Sequence, residues 1–117
     1  MPQVPSTLAM EVENRGDVIV VTPHGRMGEM EAHQFGRQLF HLLDQGSSHV
    51  VVDLTDVPFI TSTCLGIFML AHKRVKEHSG YVRIAGAQPL VRQILEVTKL
   101  NKLFALYATA DQAADAK

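Results

Sequence analysis

The sequence has a single cysteine, Cys64. No disulfide can form within the chain, and the cysteine framework of a small secreted domain is missing. It has no long run of one charge sign. Eleven Lys and Arg stand against twelve Asp and Glu, for a formal net charge of −1. A nucleic-acid-binding domain of this size carries a basic stripe, so nucleic acid is not an expected partner. No apolar run reaches the roughly 20 residues needed to cross a bilayer. Residues 1–7, MPQVPST, lack the basic and apolar regions of a signal peptide. These absences predict a cytoplasmic chain with no direct membrane insertion. His24, His33, His41, His49, His72 and His78 fall in no metal-binding spacing, and no glycine-rich phosphate loop is present. The reading is therefore no metal, no cofactor and no enzyme.

What is there is an ordinary globular composition: 117 residues, 46% hydrophobic, enough for one core. A single domain over 1–117 is expected, with a flexible tail at 1–7 and a frayed end over 113–117. Two short apolar runs, 8–13 and 18–22, flank the turn signal Asn14-Arg15-Gly16-Asp17 and predict a β-hairpin closed by Pro23 and Gly25. Residues 29–45 place Ala32, Phe35, Leu39, Leu42 and Leu43 on one helical face. Glu29 and Glu31 suit the first turn, and Gly46 is a natural stop. Val50, Val51 and Val52 form an apolar run without alternation, as in a strand covered on both faces of a parallel sheet.

A second helix is predicted from 61–63 to Glu77, packing deeply at its start, with Leu65, Phe68, Met69, His72 and Val75 on one face. His72 reads as a hydrogen-bonded core or boundary residue rather than a metal ligand. Residues 81–85 form a strand, Pro89 opens a third helix, and 103–107 form the last strand. Thr109 and Gln112 make a capping box for a short final helix. The order ββαβαβαβα predicts an α/β domain, with a mixed, mostly parallel sheet packed by helices.

In such sheets, partners meet the carboxyl ends of the strands. Two segments fall there, His24-Gly25-Arg26-Met27-Gly28 and Thr61-Ser62-Thr63-Cys64. They are predicted to be neighbours. Three hydroxyls at a helix start have a structural use, because one of them caps free backbone N–H groups. They also offer a modification site. A phosphoryl group there adds a charge of about −1.5 to −2. A helix N-terminus tolerates that charge, whereas an apolar partner docked on the patch is repelled. Cys64 is either a small core residue or a thiol activated by the helix start.

Residues 50–76 read VVVDLTDVPFITSTCLGIFMLAHKRVK. This stretch resembles the signature of STAS domains, the family of bacterial anti-sigma-factor antagonists. In that family a strand ending Asp-Leu-Ser precedes Phe-Ile-Asp-Ser-Ser-Gly-Leu-Gly and a helix with a Lys-Arg pair. Gly25-Arg26, Gly86-Ala87-Gln88-Pro89 and Leu103-Phe104 resemble its flanking segments. The resemblance implies a protein-binding domain whose partner is an anti-sigma factor with a histidine-kinase-like ATP site, and which a Ser/Thr phosphatase resets. By position it implies phosphorylation at Thr63, with Ser62 as second choice. The implied partner surface comprises Arg26, Met27, Gly28, Glu29, Thr61, Ser62, Thr63, Cys64 and Leu65. Thr61, Cys64 and Gly28 stand where the family has Asp, Gly and an acidic residue. The first and third departures remove negative charge near the acceptor, and the second adds a side chain beside it. An alternative within the family is an unphosphorylated scaffold subunit of a stressosome-like or lipid-transport ATPase complex.

Overall fold

The computed structural model describes residues 8–116. The tail predicted over 1–7 lies outside the described residues. β1 (Ala9–Arg15) and β2 (Val18–His24) form the expected antiparallel hairpin. Pro23 lies inside β2 rather than beyond it. Pairing of β2 with β3 ends at Val21 and Val52, so no ladder bond is asked of Pro23 on that side. Next come α1 (Glu29–Asp44), β3 (His49–Asp53), α2 (Ser62–Lys76), β4 (Tyr81–Ala85), α3 (Pro89–Val97), a 3-10 turn (Leu100–Lys102), β5 (Leu106–Tyr107) and α4 (Ala110–Asp115).

The sheet order is β1-β2-β3-β4-β5, and β2 through β5 are parallel. Each crossover moves one strand in the same direction. Right-handed crossovers then place every connecting helix on one face, and α1, α2 and α3 bury that face. Ile19, Val21, Val50, Val52, Val82 and Ile84 point into this main core. Val20, Val51 and Ala85 point to the other face, where Ala113 of α4 meets them. The three valines of β3 are thus fully buried from both sides, as their unbroken apolar run predicts. Phe35, Phe68 and Phe104 fill the main core edge to face, with centroids 5.8 and 6.2 Å apart.

Three local expectations are corrected. The last strand pairs only through Leu106 and Tyr107. The Phe104 amide is used by a turn, donating to the Leu100 carbonyl, and its ring is buried against Phe68. On α2 the buried face is Cys64, Ile67, Phe68, Ala71 and Val75. Met69 and Leu70, in the middle of the helix, face outward, while Cys64, Ile67 and Phe68 pack its first half into the core as expected. The helix packs against α1, with Ile67 over Gly36, and that contact turns Met69 away. Finally, His72 lacks the expected hydrogen bond at Nδ1 among the described residues. Its Nδ1 is buried, its ring meets the Phe104 edge, and desolvation and then Lys76 lower its pKa.

The capping box holds, with Thr109 Oγ1 accepting from the Gln112 amide at 3.1 Å. The sequence predicts fraying over 113–117. In the structure α4 is helical to Asp115, and Arg83 donates to the carbonyls of Ala113 and Ala116 at 2.9 and 2.8 Å. Lys117 lies outside the described residues.

Candidate functional site

Parallel pairing of β2 with β3 resumes beyond the strand ends. The Gly25 amide donates to the Asp56 carbonyl at 2.9 Å, and the Met27 amide to the Phe59 carbonyl at 3.0 Å. Met27 and Ile60 then form an isolated parallel bridge. This zip brings together the two segments that the sequence predicts as neighbours. One chain enters α1 through Gly28 and the other enters α2 through Thr61, so the two helices start side by side.

The three hydroxyls divide their work. Thr61 is the N-cap, and its Oγ1 accepts from the Cys64 amide at 3.4 Å. Ser62 is exposed. Thr63, on the second residue of α2, turns toward α1, where its Oγ1 lies 2.8 Å from both Glu29 carboxylate oxygens and donates to them. Glu29 lies in turn 3.4 Å from His33 Nε2. The departures at Thr61 and Gly28 suggest a site with little negative charge. Glu29, one residue beyond the glycine, instead sets a carboxylate directly on the hydroxyl. At Gly28 a Cβ would come within 2.8 Å of Glu31 Oε1, so the Glu31 side chain occupies the space that a residue there would use.

Among the predicted surface residues, Met27 and Cys64 have no exposed area. They form the floor of the site and offer a partner nothing to touch. Cys64 has no exposed area and burial pushes its thiol up to about 12, so it is a core residue and not an accessible, activated nucleophile. The Cys64 side chain also faces the core, so it does not crowd the acceptor. Arg26 and Glu29 are exposed, while Gly28, Thr61, Thr63 and Leu65 are partly exposed. The Arg26 guanidinium lies 5.6 Å from the centre of the Phe59 ring. No three His, Cys, Asp or Glu side chains cluster to hold a metal ion among the described residues.

One element of the site was not legible in the sequence. His24 bridges Asp56, at 2.7 Å from Nδ1, and Glu11, at 2.6 Å from Nε2. It pins β1 to the β3–α2 loop behind the zip. The hydrogen bond to Asp56, and then that to Glu11, raises its pKa. The bridge joins residues 13 and 32 positions away, a separation without any sequence signal.

Residues 9–113 match the STAS domain. The chain belongs to the STAS family. It is 22% identical over 101 residues to the anti-sigma F factor antagonist of Paenibacillus polymyxa, covering 86% of each chain. It superposes on an anti-sigma factor antagonist from Mycobacterium paratuberculosis with a TM-score of 0.85 at 25% identity, covering 98% of this chain and 97% of the other. It shares the fold of the anti-sigma factor antagonist SpoIIAA. For the unphosphorylated form the TM-score is 0.81 at 17% identity, covering 92% and 94% of the chains. For the phosphorylated Bacillus form it is 0.73 at 16%, covering 92% and 97%. The domain therefore has the architecture of the anti-sigma-factor antagonists. No helix among the described residues is long and apolar enough to cross a membrane.

Proposed function

We propose that this STAS domain is an anti-sigma-factor antagonist. It binds an anti-sigma factor with a histidine-kinase-like ATP site and is released when that partner phosphorylates Thr63. The observation that carries the reading is the division of the hydroxyls. Thr61 takes the structural task of capping, which leaves the Thr63 hydroxyl partly exposed at the helix start. Met30, Met69 and Leu70, 56%, 49% and 59% exposed, lie on the same two helices and give a partner apolar area to cover. Transfer of a γ-phosphoryl group forms the Thr63 Oγ1–P bond and breaks the bond to the departing nucleoside diphosphate, and the hydroxyl proton leaves to solvent. The product carries a charge of about −1.5 to −2 on a surface that an apolar partner must desolvate. The free domain tolerates the charge, because a helix N-terminus favours an anion. A Ser/Thr phosphatase returns the hydroxyl.

The test is the intact mass of the protein from its own host, with peptide mapping across residues 61–64 before and after phosphatase treatment. A phosphatase-sensitive group on Thr63 supports the switch. Its absence under both growth and stress conditions refutes the switch and leaves an unphosphorylated scaffold.

A further inference from the structure

We infer that Glu29 converts a change of charge at Thr63 into a loosening of the junction between β2 and α1. The inference deepens the switch proposed above and rests on it for its biological use. In the unmodified chain, one proton on Thr63 Oγ1 serves both Glu29 oxygens at 2.8 Å, and this bond ties the first turn of α2 to the first turn of α1 across 34 residues of sequence. The N-cap of α1 is Gly28, which has no side chain with which to cap the helix. A phosphoryl group on Oγ1 removes the shared proton and sets like charges where an attraction stood.

The two sides respond unequally. α2 is capped by Thr61, and its N-terminus stabilises an anion at Thr63. The Glu29 side chain is 65% exposed, with His33 3.4 Å away on the next turn, so it is the group free to leave. Once it leaves, the junction keeps the Gly25–Asp56 and Met27–Phe59 backbone bonds and the first α1 bond, from the Ala32 amide to the Gly28 carbonyl. Arg26 and Met30 flank this junction, so its movement disturbs the partner surface on α1 as well as the charge on α2.

The experiment measures amide hydrogen exchange by NMR in wild type, T63E, T63Q, E29Q, E29Q/T63E and E29D/T63E, without any partner. The amides of Gly25, Met27 and Ala32 report the junction, and those of Val51 and Val52 in the central strand report the whole fold. T63E is expected to speed exchange at the junction about tenfold, and T63Q less than about threefold, because only the former faces Glu29 with a like charge. E29Q restores the T63E junction to within about threefold of wild type, whereas E29D, which keeps the charge, does not. Salt at about 1 M shrinks the T63E effect by screening. Equal effects of T63E and T63Q, no reversal by E29Q, or equal acceleration at Val51 and Val52 overturns the inference. An absence of phosphate on Thr63 in cells refutes the switch alone, because these variants carry the charge in any case.

Discussion

Replacing Gly86 tests the packing around the β3–α2 loop most directly. Gly86 follows β4 with φ +66°, and a Cβ there would lie 2.1 Å from Thr55 Oγ1 and 3.1 Å from Asp53 Oδ1. Two costs follow for Gly86→Ala. Holding an alanine in the left-handed region costs about 1–2 kcal/mol. The second cost is local rearrangement. Thr55 Oγ1 donates to Asp53 Oδ1 at 2.5 Å, and the Thr55 amide donates to the same oxygen at 3.0 Å. Making room for the methyl displaces the hydroxyl from that carboxylate, and a hydrogen bond to a charged group is worth about 1.5–3 kcal/mol. Together these come to about 2.5–5 kcal/mol, a large share of the roughly 5–15 kcal/mol that stabilises a domain.

Gly16 supplies the control. Its φ is +62°, close to that of Gly86, and a Cβ at this position would meet nothing within 4 Å, so Gly16→Ala carries the backbone cost of about 1–2 kcal/mol without the collision. Urea unfolding of both variants and of the Gly86→Ala/Thr55→Ala pair measures the difference. Gly86→Ala is expected to cost about 2 kcal/mol more than Gly16→Ala, and removing the Thr55 side chain is expected to make the Gly86→Ala penalty smaller. Equal penalties at the two glycines refute the collision argument. The readout also bears on the site, because Gln88 Nε2 donates to the Thr55 carbonyl and so ties the start of α3 to the loop that leads into α2.

Three further outcomes follow. Thr61→Ala should cost about 0.5–1 kcal/mol in urea unfolding, at the low end for a cap because the bond is 3.4 Å long; Thr61→Asp should keep the cap and match wild type, and a large loss there would refute the capping role. Asp56, and then Glu11, raises the folded-state pKa of His24, so its contribution is complete below the unfolded value of about 6.5 and fades as pH rises through the folded value. The Tm of wild type minus that of His24→Gln, scanned from mildly acidic to alkaline pH, should shrink with rising pH, and a flat or growing difference refutes the bridge. Cys64, with its thiol pushed up to about 12, should resist iodoacetamide in the folded protein at pH 8 and react readily in urea; rapid alkylation of the native chain contradicts its burial.

The elements that read correctly from the sequence are those whose signal is local. Val50, Val51 and Val52 announce a strand covered on both sides because three adjacent β-branched residues suit only that setting. Thr109 and Gln112 announce a cap because their reach is three residues. The misread elements depend on distant partners. Met69 fits the helical spacing as well as Ile67 does. The choice between the two faces is made by Gly36 on α1, which receives Ile67. In the same way Phe104 looks like a strand residue until Phe68 and His72 draw its ring into the core and leave β5 two residues long.

The site shows the same division at finer scale. Thr61, Ser62 and Thr63 are chemically near-equivalent in sequence, and each could cap the helix or present a hydroxyl. Their roles diverge because α2 begins at Ser62. That register makes Thr61 the cap and aims Thr63 across at Glu29. A helix starting one residue later would give the cap to Ser62 and move Thr63 to the first helical position. The start is set in turn by the zip through Gly25, Met27, Asp56 and Phe59, which fixes where the β3–α2 loop stops being strand-like. The His24 bridge steadies that zip from behind. Which hydroxyl reaches Glu29 is therefore decided by β1, β2 and the loop rather than by the hydroxyl motif. Asp56→Ala removes the His24 bond but keeps the backbone zip, so amide exchange at Cys64, which reports the Thr61 cap, should stay within about threefold of wild type, and a larger rise would show that the bridge rather than the zip sets the helix start.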